Sequence, residues 1–449
     1  MTKGYTLGVA TLLLSLLFHG ETYAQRLSAS YFRTYAVCGN GGVSSFGNNL
    51  YGTLGDSSET DRLLPVSVRD LTNVGAVASG EIHAAALKKD GTVWAWGNNN
   101  YSQLGDSTTV QRIAPVKVKN MSGITQIAVR NALNSTSAAT YGLKDDGTVW
   151  SVGGNEMGQF GILGTMVAVK HPNLSGITMI AGGGNNSFLA LKDDGTVWNA
   201  KTKLTIISDV AYIACGNGHN LAVKKDGTVW AWGSNNAGQL GDSTKKNSTT
   251  PVQVKHISNV VAVKGGTGFS MALKADGTVW AWGSNDNKQL GVQANVYITP
   301  IQVPGVSDIV EISAGYSHAM ALKRDGTLYV WGGNFYGQLG NNAKTDQAQP
   351  AIPALSCSSI ITGLNDTPFE NAFTLYPNPT SGRFVVDMDK ANHTSYAIEI
   401  VDNLGAKVDA SVEMEGDKNW VDTESLRPGV YTVLIKTAAK TVKRKLIVQ

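Results

Sequence analysis

The sequence predicts an all-β protein in two parts: a long array of repeated hairpins and a small β-sandwich at the C-terminal end. Three observations carry this. Asp-Gly-Thr recurs at Asp90, Asp146, Asp194, Asp226, Asp276 and Asp325, with steps of 56, 48, 32, 50 and 49 residues. The composition, 51 Gly against 12 Pro with ten Trp and 16% charged residues, points to tight turns and aromatic packing rather than disorder or long helices. From Phe369 the repeat stops and alternating strands broken by Asn-Pro, Leu-Gly and Pro-Gly turns take over. A period near fifty is that of a propeller or array. A net charge of +3 over 449 residues gives no preference for nucleic acid or an anionic membrane.

The first element is not part of the fold. Lys3, the apolar run from Leu7 to Phe18 and the small residues Thr22 and Ala24 form a signal peptide, with cleavage expected between Ala24 and Gln25. No later segment reaches the roughly twenty apolar residues of a transmembrane helix. The mature chain is expected outside the cytoplasm.

The repeats follow. A degenerate first copy, "VCGNGGVSSFGNNLYGTLGD", puts Asn40-Gly41 where Asp90-Gly91 stands and Phe46-Gly47 where Trp96-Gly97 stands, which makes seven copies. In each, Asp-Gly sits between two short apolar strands and reads as a two-residue type I′ turn with positive φ at both positions. The glycines are Gly91, Gly147, Gly195, Gly227, Gly277 and Gly326. Along the following strand Val93 and Ala95 face one way and Trp94 and Trp96 the other. Both faces are apolar, so the sheet is expected to be covered on both sides. One apolar strand before the hairpin and a Pro-Val strand after "WGxNxxGQLG" complete four strands per copy. The fourth copy omits that turn, hence its 32-residue step; the readings are a shortened blade or a rim notch near Trp198 to Ile207.

The long motif Gly-x-x-His followed by "ALKxDGTVWAWGxNxxGQLGD" resembles the regulator of chromosome condensation repeat family over roughly residues 27 to 362. That resemblance implies a seven-bladed β-propeller. Two segments compete to close the ring: Arg26 to Ser30, or a returning strand at Ser358 to Gly363. The C-terminal strand is the expected solution, because it would tie the last blade to the first and leave no open edge.

In the tail, "LYPNPTSGRF", "DNLGAKV" and "LRPGVYTVLI" resemble the C-terminal sorting domain of the type IX secretion system used by the Bacteroidetes, with Tyr376, Pro377, Asn378, Pro379, Gly405, Gly429 and Tyr431 carrying the match. This implies recognition by the outer-membrane secretion machinery. The basic residues Lys440, Lys443, Arg444 and Lys445 read as a charged edge strand. The expected domains are a signal peptide (1–24), a propeller (25–362), a linker (363–371) and a sorting domain (372–449).

Chemistry is sparse. His83, His219 and His318 lie seven residues before a hairpin Asp, where other copies have Arg33, Ala139, Ser187 and Phe269; these are expected to be structural. Three cysteines, Cys38, Cys215 and Cys357, have no metal spacing; Cys38 and Cys357 are either a crosslink between the ends of the repeat region or buried thiols. No catalytic, cofactor or metal residue is assigned and no cofactor is expected. The variable loops after "GQLGD", with Asp56, Asp106, Ser107, Asp242 and Ser243, are the candidate binding surface. The expectation is a monomeric, non-catalytic propeller on the cell surface or secreted, contacting an extracellular protein or glycan and not nucleic acid. A polysaccharide-active enzyme with its site at the propeller mouth is the alternative.

Overall fold

The computed structural model describes residues 25–130, 138–154, 165–184, 188–199, 203–204, 207–293 and 296–355, and in the tail 373–376, 383–388, 397–402, 407–408, 410–415, 418–423, 426–436 and 441–448. The chain divides into two compact units, Met1–Gly363 and Leu364–Gln449.

The first unit holds seven antiparallel four-stranded sheets, each built from consecutive strands. Blade 1 is Leu27–Ser30, Arg33–Val37, Val43–Gly47 and Arg62–Ser67; blade 2 is Val74–Ser79, His83–Lys88, Val93–Gly97 and Arg112–Lys117. Blade 3 is Ile124–Arg130, Ala139–Lys144, Val149–Gly153 and Thr165–Lys170, and blade 4 is Ile177–Gly182, Phe188–Lys192, Val197–Trp198 and Lys203–Leu204. Blade 5 runs from Val210–Cys215 to Ser248–Gln253, blade 6 from Val260–Gly265 to Val296–Gln302, and blade 7 from Ile309–Ala314 to Gln347–Ala351. The first strand of each blade touches the first strand of the next, and Ile309–Ala314 touches Leu27–Ser30, so the seven form a closed ring.

Both faces of each sheet are apolar because each is covered by a neighbour. Val93, Ala95 and Trp96 are fully buried, as are Val279, Ala281 and Trp282 in blade 6. Trp94 keeps one side toward solvent and carries the Lys88 ammonium 5.3 Å from its ring centroid, a pairing repeated at Lys224 and Trp230. The glycine after each buried aromatic has no substitute. At Gly97, φ is +107° and an added Cβ would stand 2.6 Å from the Ile82 carbonyl oxygen.

The hairpin differs from the expected type I′ turn. Gly91 has φ +77° while Asp90 is not at positive φ. The Gly91 N–H donates to the Lys88 carbonyl and the Lys88 N–H to the Thr92 carbonyl, both at 2.9 Å, which defines a longer loop closed by one left-handed glycine. Asp90 serves differently: its Oδ1 accepts the Thr92 N–H at 2.9 Å and the Thr92 hydroxyl at 2.6 Å.

Ring closure also differs. Leu27 to Ser30 pair with Arg33 to Ala36, so the N-terminal segment supplies the first strand of blade 1. A two-residue turn joins these strands, and such a local pairing closes a far shorter loop than a return from the end of the repeats. Ser358 to Gly363 lie outside the described residues. The blade 7 to blade 1 junction is held face to face, with Leu27 and Ala36 packed on Met320, Leu322 and Val330.

Blade 4 keeps four strands although its outer strand is two residues long, with Val197 opposite Leu204 and Trp198 opposite Lys203. Ile207 is buried in the core shared with blade 5. The outermost strands of blades 1, 2, 5, 6 and 7 each contain a proline: Pro65, Pro115, Pro251, Pro300 and Pro350.

The second unit has two four-stranded sheets. One orders Phe373–Tyr376, Arg383–Met388, Lys418–Asp422 and Val412–Glu415; the other Lys407–Val408, Ala397–Val401, Gly429–Lys436 and Thr441–Val448. Phe384, Val386 and Val421 of the first form one core with Ile400, Val433 and Leu446 of the second, as in a sandwich. Thr441–Val448, which carries Lys443, Arg444 and Lys445, is an edge strand.

Candidate functional site

Antiparallel connection puts the turn between the first and second strands of every blade, and the long loop between the third and fourth, on one face of the ring. The loops there are organised by a single asparagine. Asn235 Nδ2 donates to Asp242 Oδ1 at 3.1 Å and to the Thr244 and Lys246 carbonyls, while its Oδ1 accepts the Leu240 N–H at 2.9 Å. Asn49, Asn99 and Asn334 repeat this arrangement. The candidate aspartates therefore point into their own loops. Asp56 and Asp106 also bind Arg62 and Arg112, at 2.7 Å each. Burial alone would raise both carboxyls, but hydrogen bonds from Ser58 and Arg62, and from Thr108 and Arg112, outweigh it and leave both low. Ser107 and Ser243 are exposed, at positive φ.

The three repeated histidines lie between blades. His83 Nε2 is 3.0 Å from Thr140 Oγ1, His219 Nε2 2.9 Å from Ser270 Oγ, and His318 Nε2 3.0 Å from Thr34 Oγ1. Each hydroxyl donates to a loop carbonyl of the histidine's own blade: Gln103 at 2.9 Å, Gln239 at 2.8 Å and Gln338 at 2.8 Å. With its proton so used, the hydroxyl accepts from the ring, which fixes the Nε2–H tautomer. Burial pushes His83 and His318 down to about 3 and His219 to about 4, so all three are neutral. The indole N–H of Trp282 adds a bond to the Gln239 carbonyl at 2.9 Å, and that of Trp331 one to the Gln289 carbonyl at 3.0 Å. These are interblade latches.

The seven first strands enclose an axial cavity of about 330 Å³. Its walls are small or apolar at most positions, with Arg26, Lys264 and Glu311 inside. Burial raises the Glu311 carboxyl, and Arg26 opposes the rise. Glu311 Oε1 accepts the Leu27 N–H at 3.0 Å, Ser313 Oγ accepts that of Ala29 at 2.9 Å, and Gln126 Oε1 accepts that of Ile180 at 2.9 Å. These side chains satisfy inner-edge donors that no further strand covers. Cys215 also lines the cavity; burial pushes its thiol up to about 12, far from nucleophilic range. Cys38 is disulfide-bonded, Cys215 is free, and Cys357 lies outside the described residues. Among the described residues no group of His, Cys, Asp or Glu could hold a metal ion, and no helix is long and apolar enough to cross a membrane.

On the loop face, the mouth of the cavity is formed, among the described residues, by the turns after the first strands of blades 1, 2, 4, 5, 6 and 7, where the copies disagree. Tyr31, Glu81, Gly184, Asn217, Thr267 and Tyr316 occupy it. Burial raises the Glu81 carboxyl against the opposing charge of Arg33, which is itself buried and bonded to the Gly80 and Glu81 carbonyls. None of these mouth residues is among the sequence-predicted site residues. Their signal is the variation of a single turn position among copies whose strands agree. Tyr31 and Tyr316, however, belong to opposite ends of the array and meet only because the ring closes. In the tail, Tyr376 ends a strand, Gly429 begins one, and the Tyr431 hydroxyl donates to the Arg427 carbonyl at 2.9 Å. Ala24, Pro377, Asn378, Pro379 and Gly405 lie outside the described residues; Gln25 is described, and its carbonyl accepts the Val77 N–H at 2.8 Å.

Seven four-stranded blades joined by repeated latches define a β-propeller of the repeat class. The description "Regulator of chromosome condensation (RCC1) repeat" matches residues 40–87, 90–129, 226–273, 276–322 and 325–368, just over half of the chain, and a second of the same description matches 76–103, 210–239, 260–289 and 309–338. The chain belongs to the regulator of chromosome condensation repeat family. A "Secretion system C-terminal sorting domain" matches residues 374–449. Similar solved structures include Kap60 bound to yeast RCC1 (Prp20), at 21% identity and TM-score 0.61, covering 78% of this chain and 88% of that one. Prp20p from Saccharomyces cerevisiae matches at 21% identity and TM-score 0.61, over 76% and 88%. These likenesses show the propeller fold. The protein is a propeller handled by the type IX secretion system and exported to the cell surface or secreted.

Proposed function

We propose that this protein is a non-catalytic, monomeric binding propeller that contacts an extracellular protein or glycan through the loop face of its ring. One observation carries the reading. The polar groups that recur, Asn235, Gln239, Asp242 and their counterparts, are engaged in holding loops and blades together, whereas the cavity mouth changes chemistry from blade to blade. A repeated scaffold with one variable rim is the arrangement expected of a recognition surface. Buried neutral histidines and a protonated Cys215 support the non-catalytic part of the reading.

The domain boundaries proposed for the working protein are residues 25–362 for the propeller and 372–449 for the sorting domain, joined by residues 363–371. The test uses the full secreted chain as bait for affinity capture from culture supernatant and cell envelope. Variants replace mouth residues Glu81, Asn217 and Tyr316, or the exposed loop residues Ser107 and Ser243. Loss of a partner with either set supports the loop face and says which part of it binds; equal recovery by all variants rejects that face.

A further inference from the structure

Five aromatic rings form a connected cluster where blade 7 joins blade 1, and two of them, Tyr31 and Tyr316, line the mouth of the cavity. Tyr31 and Phe32 form the blade 1 turn, Tyr316 lies in the blade 7 turn, and Phe335 and Tyr336 come from the blade 7 loop. Ring centroids are 4.3 Å apart for Tyr31 and Phe32, 5.2 Å for Tyr31 and Tyr316, and 5.0 Å for Phe32 and Tyr316. Phe32 and Tyr336, and Phe335 and Tyr336, are each 4.9 Å apart. Phe335 is 68% exposed and the other four are half-buried. The ring does not require this cluster, because the loop position of Phe335 is Asn100, Asn236 or Asp286 in other blades, whose junctions close without it.

Polar groups surround the rings and are not consumed by the fold. Among the described residues, the hydroxyls of Tyr31, Tyr316 and Tyr336 make no hydrogen bond, nor does the carboxylate of Glu81, which lines the same mouth. Ser30 also lines the cavity, and its buried hydroxyl has no partner among the described residues.

We propose that this mouth binds a pyranose ring of a glycan, seated on the aromatic cluster, with the tyrosine hydroxyls and Glu81 meeting its hydroxyls. The proposal rests on the loop face being the binding surface and names its ligand. Three features select a sugar. A pyranose offers C–H groups on its face and hydroxyls around its rim, which complements apolar rings flanked by unengaged polar groups. The rings touch one another at interplanar angles of 36° to 74°, which makes a continuous uneven apolar surface on which a single ring face can meet the sugar; a cage for a quaternary ammonium needs walls spaced around the cation. The cavity, about 330 Å³, is at the low end of small-ligand pockets, whereas a protein partner typically covers about 800 Å² of each surface.

The test is calorimetric titration of the full secreted chain with cellopentaose, chitopentaose and mannopentaose, and with choline as the ammonium arm. At least one oligosaccharide is expected to bind. Phe335→Ala should weaken that binding about tenfold and Tyr316→Phe about threefold, while Asn100→Ala in blade 2 leaves it unchanged. Unaltered circular dichroism and melting temperature would establish that the variants fold. Binding of no oligosaccharide, binding undiminished in both mouth variants, or preference for choline would each overturn the proposal. Capture of a protein partner sensitive to Phe335→Ala, with no oligosaccharide bound, would overturn the glycan and leave the binding face standing. Failure of both capture and titration would overturn both readings.

Discussion

Two junctions of the ring repay comparison: the internal one between blades 5 and 6, and the closing one between blades 7 and 1. Both use the same latch, His219, Ser270 and Gln239 in the first and His318, Thr34 and Gln338 in the second. At the internal junction the Trp282 indole adds a bond to Gln239, whereas at the closing one Phe46 stands in that place and has no N–H to give. The closing junction gains instead the Glu311 and Ser313 bonds to Leu27 and Ala29, and the five aromatic rings. The difference teaches that a ring can close without exchanging strands if its last interface is equivalent to the others. It also places the least repetitive chemistry of the molecule at the one interface that local sequence does not build.

The largest expected effect strikes both junctions. The folded-state pKa values of His83, His219 and His318 lie below the unfolded value near 6.5, so between those limits the unfolded chain takes up protons that the folded chain refuses. Stability is complete above about pH 6.5 and falls with acid. At pH 4.5 each histidine should cost roughly 2–3 kcal/mol, an effect read from denaturant melts at pH 7 and 4.5. Glu81 and Glu311, with raised values, act in the opposite sense, so the contribution is isolated by His219→Phe, a substitution that copies Phe269 in the same place of blade 6. That variant should remove about a third of the acid effect. An unchanged slope would sink the latch account.

The next effect belongs to the closing side alone. Peptide mapping without reduction is expected to find Cys38 paired in a disulfide and Cys215 as a free thiol. Cys38→Ser should then cost about 2–5 kcal/mol, read as a lowered denaturant midpoint, while Cys215→Ser leaves the mapped pair intact. A smaller effect compares the latches directly: Thr34→Ala and Ser270→Ala each leave a buried imidazole N–H unpaired, for about 1–3 kcal/mol. Equal losses would show that the two junctions are equivalent; a much larger loss for Thr34→Ala would mark the closing one as the weaker. The smallest effect is on the exposed ring, where Phe335→Ala should change stability by no more than about 0.5 kcal/mol while altering ligand binding.

Much of this architecture is legible in the residues. The twin stretches Leu87 to Asp106 and Val223 to Asp242 place a hairpin, a buried indole and an Asn-centred loop at the same points of blades 2 and 5, because each depends only on neighbours within about twenty residues. The turn type is not legible, because Asp-Gly suits two hairpin loops and which one forms depends on how Lys88 and Thr92 pair. Nor is the closing strand: Arg26 to Ser30 and Ser358 to Gly363 have similar patterns, and edge protection favours the wrong one. The cluster is hidden for a geometric reason: Tyr31 and Phe32 of blade 1 meet Tyr316 and Tyr336 of blade 7 only through closure.

The prolines of the outer strands have a consequence for life on a crowded envelope. A proline has no N–H to offer an incoming strand, so Pro65, Pro115, Pro251, Pro300 and Pro350 interrupt the free rim of five blades out of seven. Where two copies meet rim to rim, the missing donors work against knitting the outer strands into a continuous sheet.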